Sequence, residues 1–173
     1  MKEHRAVFYI DASVRFLTSD TPKLNAELLY NCGFISFGLT YYTTYMITHP
    51  GMYRYLPTDL RTLKRQESMP ISGALLYCNT EEIFNEILYW YYLCSLDANC
   101  IAPPGSFALP RHPRGEWKGH DVWAGIHRYD LSALSILIFN FISKRNMTIT
   151  FVSDVLAVRR DDVSEVNVTT CSV

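Results

Sequence analysis

A chain of 173 residues is long enough for one domain with a sizeable core. Apolar residues make up 49% and charged residues 19%, which excludes a disordered chain. Sixteen basic residues against seventeen acidic ones leave a net charge of −1, so the chain as a whole is marked neither as a nucleic-acid binder nor as a membrane-surface binder.

Aromatic residues reach 14%, twelve of them Tyr, which suits aromatic packing or a cleft that contacts sugars or bases. No apolar stretch is long enough to span a membrane, since the densest, 83–96, contains Asn85 and Glu86. The apolar run near the start is too short for a signal peptide and ends in Asp11. The compartment therefore stays open.

In chain order, Ala6–Ile10 (AVFYI) reads as a strand buried on both faces, as in a parallel sheet covered by helices. Thr18–Lys23 is a turn signal, and Leu24–Tyr30 suits a short helix after Pro22. The apolar segment Cys32–Tyr45, broken by Gly33 and Gly38, reads as one or two strands. Thr48–Gly51 is a turn and Met52–Leu56 a helical turn ended by Pro57. Thr58 or Asp59 then caps a basic helix over Leu60–Gln66.

Ile71–Cys78 is the second clear strand. Asn79 and Glu82 form a capping box for a helix over Glu81–Leu96, with apolar residues at 83, 84, 87, 88, 91 and 94 on one face. Ala98–His120 has no periodicity and reads as a long loop. Asp130 caps a further helix, Leu131–Ile142, and Thr148–Val152 is a short last strand. The polar stretch 154–173 reads as a tail after a single domain, 1–153.

Five cysteines form no CxxC pair, which leaves zinc-ribbon and thioredoxin readings without support. Cys94 and Cys100 straddle a helix end and suit either a disulfide or two buried thiols. Asn146 and Asn167 head N-x-S/T sequons, which matter only in a secreted chain.

Three constellations carry possible chemistry. Asp11 and Ser13, one residue apart past a strand end, are two hard ligands suited to Mg²⁺ or Mn²⁺ bridging a diphosphate. The plainer reading has Asp11 in a turn. His127-Arg128-Tyr129-Asp130 precedes a helix, where N–H groups and Arg128 suit an anion and Asp130 suits a base or an orienting partner for His127. Asp130 as an N-cap is the plainer reading. His49-Pro50-Gly51-Met52-Tyr53 places a His in a turn among aromatics. Apart from these, a basic loop with Arg111, His112, Arg114 and Lys118, and with Trp117 and Trp123 nearby, suits closure over a phosphate, stacking on a sugar or a solvated surface. P-loop, G-x-S-x-G and G-x-G-x-x-G motifs are absent from the sequence.

Taken together, DASVRF (11–16), THPGMYRYLPTD (48–59), ILYWYYLCSLDANCIAPPG (87–105) and HRYDLSAL (127–134) resemble a nematode-expanded family of uncharacterised, glycosyltransferase-like proteins. The resemblance implies an α/β fold. It would be a partial nucleotide-diphospho-sugar transferase-like domain, with a mixed, mostly parallel sheet flanked by helices. It implies that Asp11 and Ser13 stand for the Asp-x-Asp metal and nucleotide motif, and that Gly73 and Ala74 line the donor–acceptor cleft. His127 and Asp130 would contact sugar or acceptor. Ser13 in place of the second Asp, and Leu131 in place of Gln, depart from the broader pattern. The nucleotide-binding part expected before the Asp-x-Asp strand is missing. The implied function is transfer from a nucleotide-sugar donor to a glycan or protein acceptor, with a secretory-pathway location. The alternative is a non-catalytic binding or structural remnant.

Overall fold

The computed structural model describes residues 6–12, 14–17, 33–40, 42–66, 69–70, 72–106 and 126–147, and the backbone alone at 150–151 and 156–158. The expected helix at 24–30, Ser13, the basic loop and the Asn167 sequon lie outside the described residues.

The strands are β1 (Ala6–Ile10), β2 (Val14–Phe16), β3 (Phe34–Ser36), β4 (Ala74–Cys78), β5 (Thr150–Phe151) and β6 (Leu156–Val158). Four form one sheet in the order β1-β4-β3-β5, while β2 and β6 form a separate antiparallel pair. β4 runs antiparallel to both β1 and β3, and only the β3–β5 pairing is parallel. The expected mostly parallel, transferase-like sheet is therefore incorrect. The physical reason lies in β1, whose Tyr9 and Ile10 are 51% and 39% exposed. These neighbours point to opposite faces, so β1 is a half-covered edge strand rather than one buried on both faces as in a helix-covered parallel sheet.

The run buried on both faces is β4, the strand between β1 and β3. Its period-2 alternation feeds two separate clusters. Ala74, Leu76 and Cys78 pack with Val14, Ile35 and Phe37. Leu75 joins the main core on the other face, with Tyr77 packed against it.

That core is closed by helices. Pro50–Arg54 is a 3₁₀ helix, with His49 Nδ1 accepting from the Gly51 N–H at 3.1 Å. α1 (Leu60–Leu63) is capped by Asp59, whose carboxylate accepts from the Arg61 N–H at 3.0 Å and the Thr62 hydroxyl at 2.5 Å. α2 is one rod over 81–96: α-helical at Glu81–Ile83, π-helical at Phe84–Leu88 and α-helical again at Tyr89–Leu96. Its cap is Thr80, accepting from the Ile83 N–H at 3.2 Å, one residue later than the sequence suggests.

α3 (Ala98–Ile101) lies inside the expected long loop, capped by Asp97. α4 (Tyr129–Arg145) runs longer than expected and ends on Asn146 in the left-handed conformation. Met52, Leu56, Ile83, Ile87, Ile136 and Ile138 are buried in this layer. Each such side chain contributes about 1.5–3 kcal/mol by leaving water. β6 lies within the stretch read as a polar tail, and it holds β2.

Cys94 and Cys100 form a disulfide that ties the end of α2 to α3. At the far end of α4, Arg145 makes a two-pronged ion pair with Glu86 and stacks 3.9 Å over the Phe141 ring.

Candidate functional site

The resembling runs 48–59, 87–105 and 127–134 converge in space. Their meeting point is His127, which is 1% exposed. Its Nδ1 accepts the His49 N–H at 3.1 Å, and its Nε2 lies 2.9 Å from the Ile101 carbonyl. Nδ1 is an acceptor, so Nε2 carries the proton and the ring is neutral. Burial pushes its pKa down, the Ile101 hydrogen bond pushes it up, and neighbouring His49 pushes it down again.

The surroundings lock the ring. The Arg128 N–H and the Ser132 hydroxyl both donate to the Ile47 carbonyl, at 3.1 and 2.6 Å. Gly51 is required because a Cβ there would lie 2.7 Å from the Pro103 Cβ. His127, read from sequence as a catalytic candidate, therefore has both ring nitrogens engaged by backbone.

Asp130, three residues on, faces elsewhere. α4 enters it through Tyr129, whose φ of 38° is left-handed and unusual for a residue with a side chain. Asp130 lies inside the first turn rather than at the cap, and is exposed. It lines a cleft of about 120 Å³ between the sheet and the helices. Tyr9 of β1, Phe34 of β3, Tyr77 of β4 and Tyr91 of α2 wall the cleft, with Ser72 and Leu134 alongside. Phe34 and Tyr77 are cross-strand partners, stacked with centroids 6.4 Å apart.

Asp11 reaches this cleft through Tyr9, whose hydroxyl donates to Asp11 Oδ1 at 2.9 Å. Its backbone continues the β1–β4 ladder, donating to the Gly73 carbonyl at 2.8 Å, and its carbonyl accepts the Val14 N–H in a tight turn. Gly73 leaves room for the carboxylate, since a Cβ there would meet Asp11 Oδ2 at 2.8 Å. Asp11 and Gly73 thus meet at the end of β1, and Tyr9 links them to the cleft that Asp130 lines. Ala74 lies on the opposite face of β4 from the cleft-lining Leu75. Asp11 is not at the carboxyl end of a parallel strand, so the ligand-crevice argument from sheet topology does not apply to it.

The phenols stay protonated. Tyr9 is raised by its bond to Asp11, then by burial and by the charges of Asp11 and Asp130. Tyr91 is pushed up to about 12, chiefly by burial and then by Asp130. Tyr77 is raised by burial. Sequence reasoning singled out none of these three residues. The signal that points to them is the high Tyr content combined with their places on β1, β4 and α2.

The fit to a divalent cation is poor in the described residues. Asp11 supplies one carboxylate with an oxygen already engaged by Tyr9, and Ser13 lies outside the described set. Among the described residues, no group of three His, Cys, Asp or Glu gathers to hold a metal. Nor is any described helix long and apolar enough to cross a membrane.

No family model, no curated protein and no solved structure matches this chain.

Proposed function

We propose that this protein is a glycosyltransferase-like sugar-binding protein, with the cleft between Tyr9, Tyr91 and Asp130 as its sugar site. The observation that carries the reading is a cleft walled by phenol rings and lined by the Asp130 carboxylate, with a second carboxylate, Asp11, held by the hydroxyl of Tyr9 in its wall. Carboxylates accept hydrogen bonds from adjacent sugar hydroxyls, while aromatic faces pack against the apolar face of a pyranose ring. Protonated phenols add donors.

Size limits what enters. The cleft measures about 120 Å³, below the roughly 300–1,000 Å³ of sites that enclose drug-sized ligands. It takes one ring rather than a whole nucleotide sugar. Binding, not transfer, is the role these residues support best. In the broader reading, a nucleotide sugar is the donor, Asp11 with Ser13 holds Mn²⁺ or Mg²⁺, and a glycan or protein is the acceptor.

Isothermal titration with monosaccharides, UDP and UDP-sugars, with and without Mn²⁺, tests both. Monosaccharide heat that vanishes in Asp11→Ala supports the sugar site. Metal-dependent UDP-sugar binding lost in the same variant supports the donor reading. A folded sample that binds none of them ends the proposal.

A further inference from the structure

The rings and charges of the cleft favour one sign of ligand. Four aromatic side chains, Tyr9, Phe34, Tyr77 and Tyr91, surround it, and none of its nine lining residues is basic. Aromatic faces carry negative charge density and attract an ammonium group within about 6 Å of the ring centre. Enclosure by several such faces is how quaternary and methylated amines are bound.

The carboxylates add to this. Asp130 lines the cleft and makes no ion pair among the described residues, where both ion pairs involve Glu86 at the other end of α4. Its position in the first turn of α4 offsets the positive end of the helix dipole. Asp11 then contributes a further full negative charge, oriented by the Tyr9 hydroxyl. The nearest cation in sequence, Arg128, acts on the Tyr42 phenol, which does not line the cleft. The charges of Asp130 and Asp11 oppose ionisation of Tyr9, and that of Asp130 opposes ionisation of Tyr91. The same field attracts a cation.

We propose that this cleft selects a small ammonium-bearing ligand, held by the aromatic faces of Tyr9, Tyr77 and Tyr91 and by the carboxylates of Asp130 and Asp11. The inference rests on the cleft being the ligand site, and it names the ligand's charge. An amino sugar satisfies both readings, whereas a simple alkylammonium satisfies this one alone.

Isothermal titration with tetramethylammonium, choline, glucosamine and glucose separates the outcomes. The ammonium compounds should bind at least about tenfold more tightly than glucose. That preference should weaken as salt is raised and fall by about tenfold in Asp130→Asn. The exposed position of Asp130 allows this variant to fold, which circular dichroism checks. Tyr9→Leu, a second exposed position, should lower ammonium affinity with the carboxylates in place. Glucose binding as tightly as glucosamine overturns the charge preference and leaves the sugar site standing. Binding of none of the four by folded protein overturns both.

Discussion

His127 and Asp130 stand three residues apart and end in opposite environments. His127 is sealed at a junction of three segments, where the backbone groups of His49 and Ile101 use both of its nitrogens. Asp130 is exposed, unpaired with any cation among the described residues, and faces a cleft. The first region is saturated, so its chemistry is spent on holding the fold. The second keeps hydrogen-bonding capacity and charge in reserve, which is what a binding site requires. Titratable residue types alone do not distinguish the two. The number of polar partners already supplied by the chain does.

Breaking the saturated junction should give the largest effect. His127→Leu leaves the half-buried His49 N–H and Ile101 carbonyl without their His127 partner, at a cost of about 2–3 kcal/mol. Urea denaturation should show the midpoint falling with little change in slope. Next is the clamp beside it: replacing Cys94 and Cys100 together by Ala frees a short loop and should cost about 2 kcal/mol.

The junction should also respond to acid. The pKa of His127 is lowered in the folded state, so the unfolded chain binds more protons. The stability that neutral His127 contributes is fully present above the ordinary histidine value, about 6.5. It is lost as pH falls through that value toward the lower folded pKa. Thermal melts from neutral to acidic pH should show this loss, and His127→Leu should flatten it. A separate loss belongs to Glu86, whose pKa is held at about 2 by Arg145 and then Lys144. Its contribution is present above the ordinary glutamate range and disappears toward pH 2.

The cleft should behave in the reverse way, with small effects on folding and clear effects on binding. Gly73→Ala brings a Cβ against the far end of a flexible carboxylate, so Asp11 swings aside at low cost. Melting should change by less than about 1 kcal/mol equivalent while ligand affinity falls. An equal loss of stability in Gly73→Ala and His127→Leu would erase the contrast between the two regions.

Much of the layer structure was legible in the sequence. The apolar run within Ile71–Cys78 and the stripe through Ile83, Ile87, Tyr91 and Cys94 are strong signals, and Thr58-Asp59 marked the start of a helix that Asp59 caps. Sheet direction was not legible. Periodicity reports which faces are buried, and the five residues of β1 have the same apolar composition whether their neighbour runs parallel or antiparallel. Of the candidate site residues, Asp11, Gly73 and Asp130 stood out as residue types; the structure sets Asp11 against Gly73 and links it through Tyr9 to the cleft that Asp130 lines. His127 stood out equally but belongs to the junction, because its partners are backbone atoms of residues 49 and 101, invisible to side-chain patterning. Tyr9, Tyr77 and Tyr91 were hidden among twelve tyrosines.

The π-helical stretch Phe84–Leu88 has a consequence for how this chain can vary in length. A π turn holds one residue more than an α turn. Deleting one residue there, such as Asn85, would let the rod relax into an uninterrupted α-helix. A π turn makes one revolution with that extra residue and an α turn makes it without, so the two halves would keep their faces. Ile83 would stay in the core and Tyr91 on the cleft. The stretch is a place where the rod can gain or lose one residue without a change of phase, whereas a deletion within the regular turns of Tyr89–Leu96 would turn everything beyond it by about 100°.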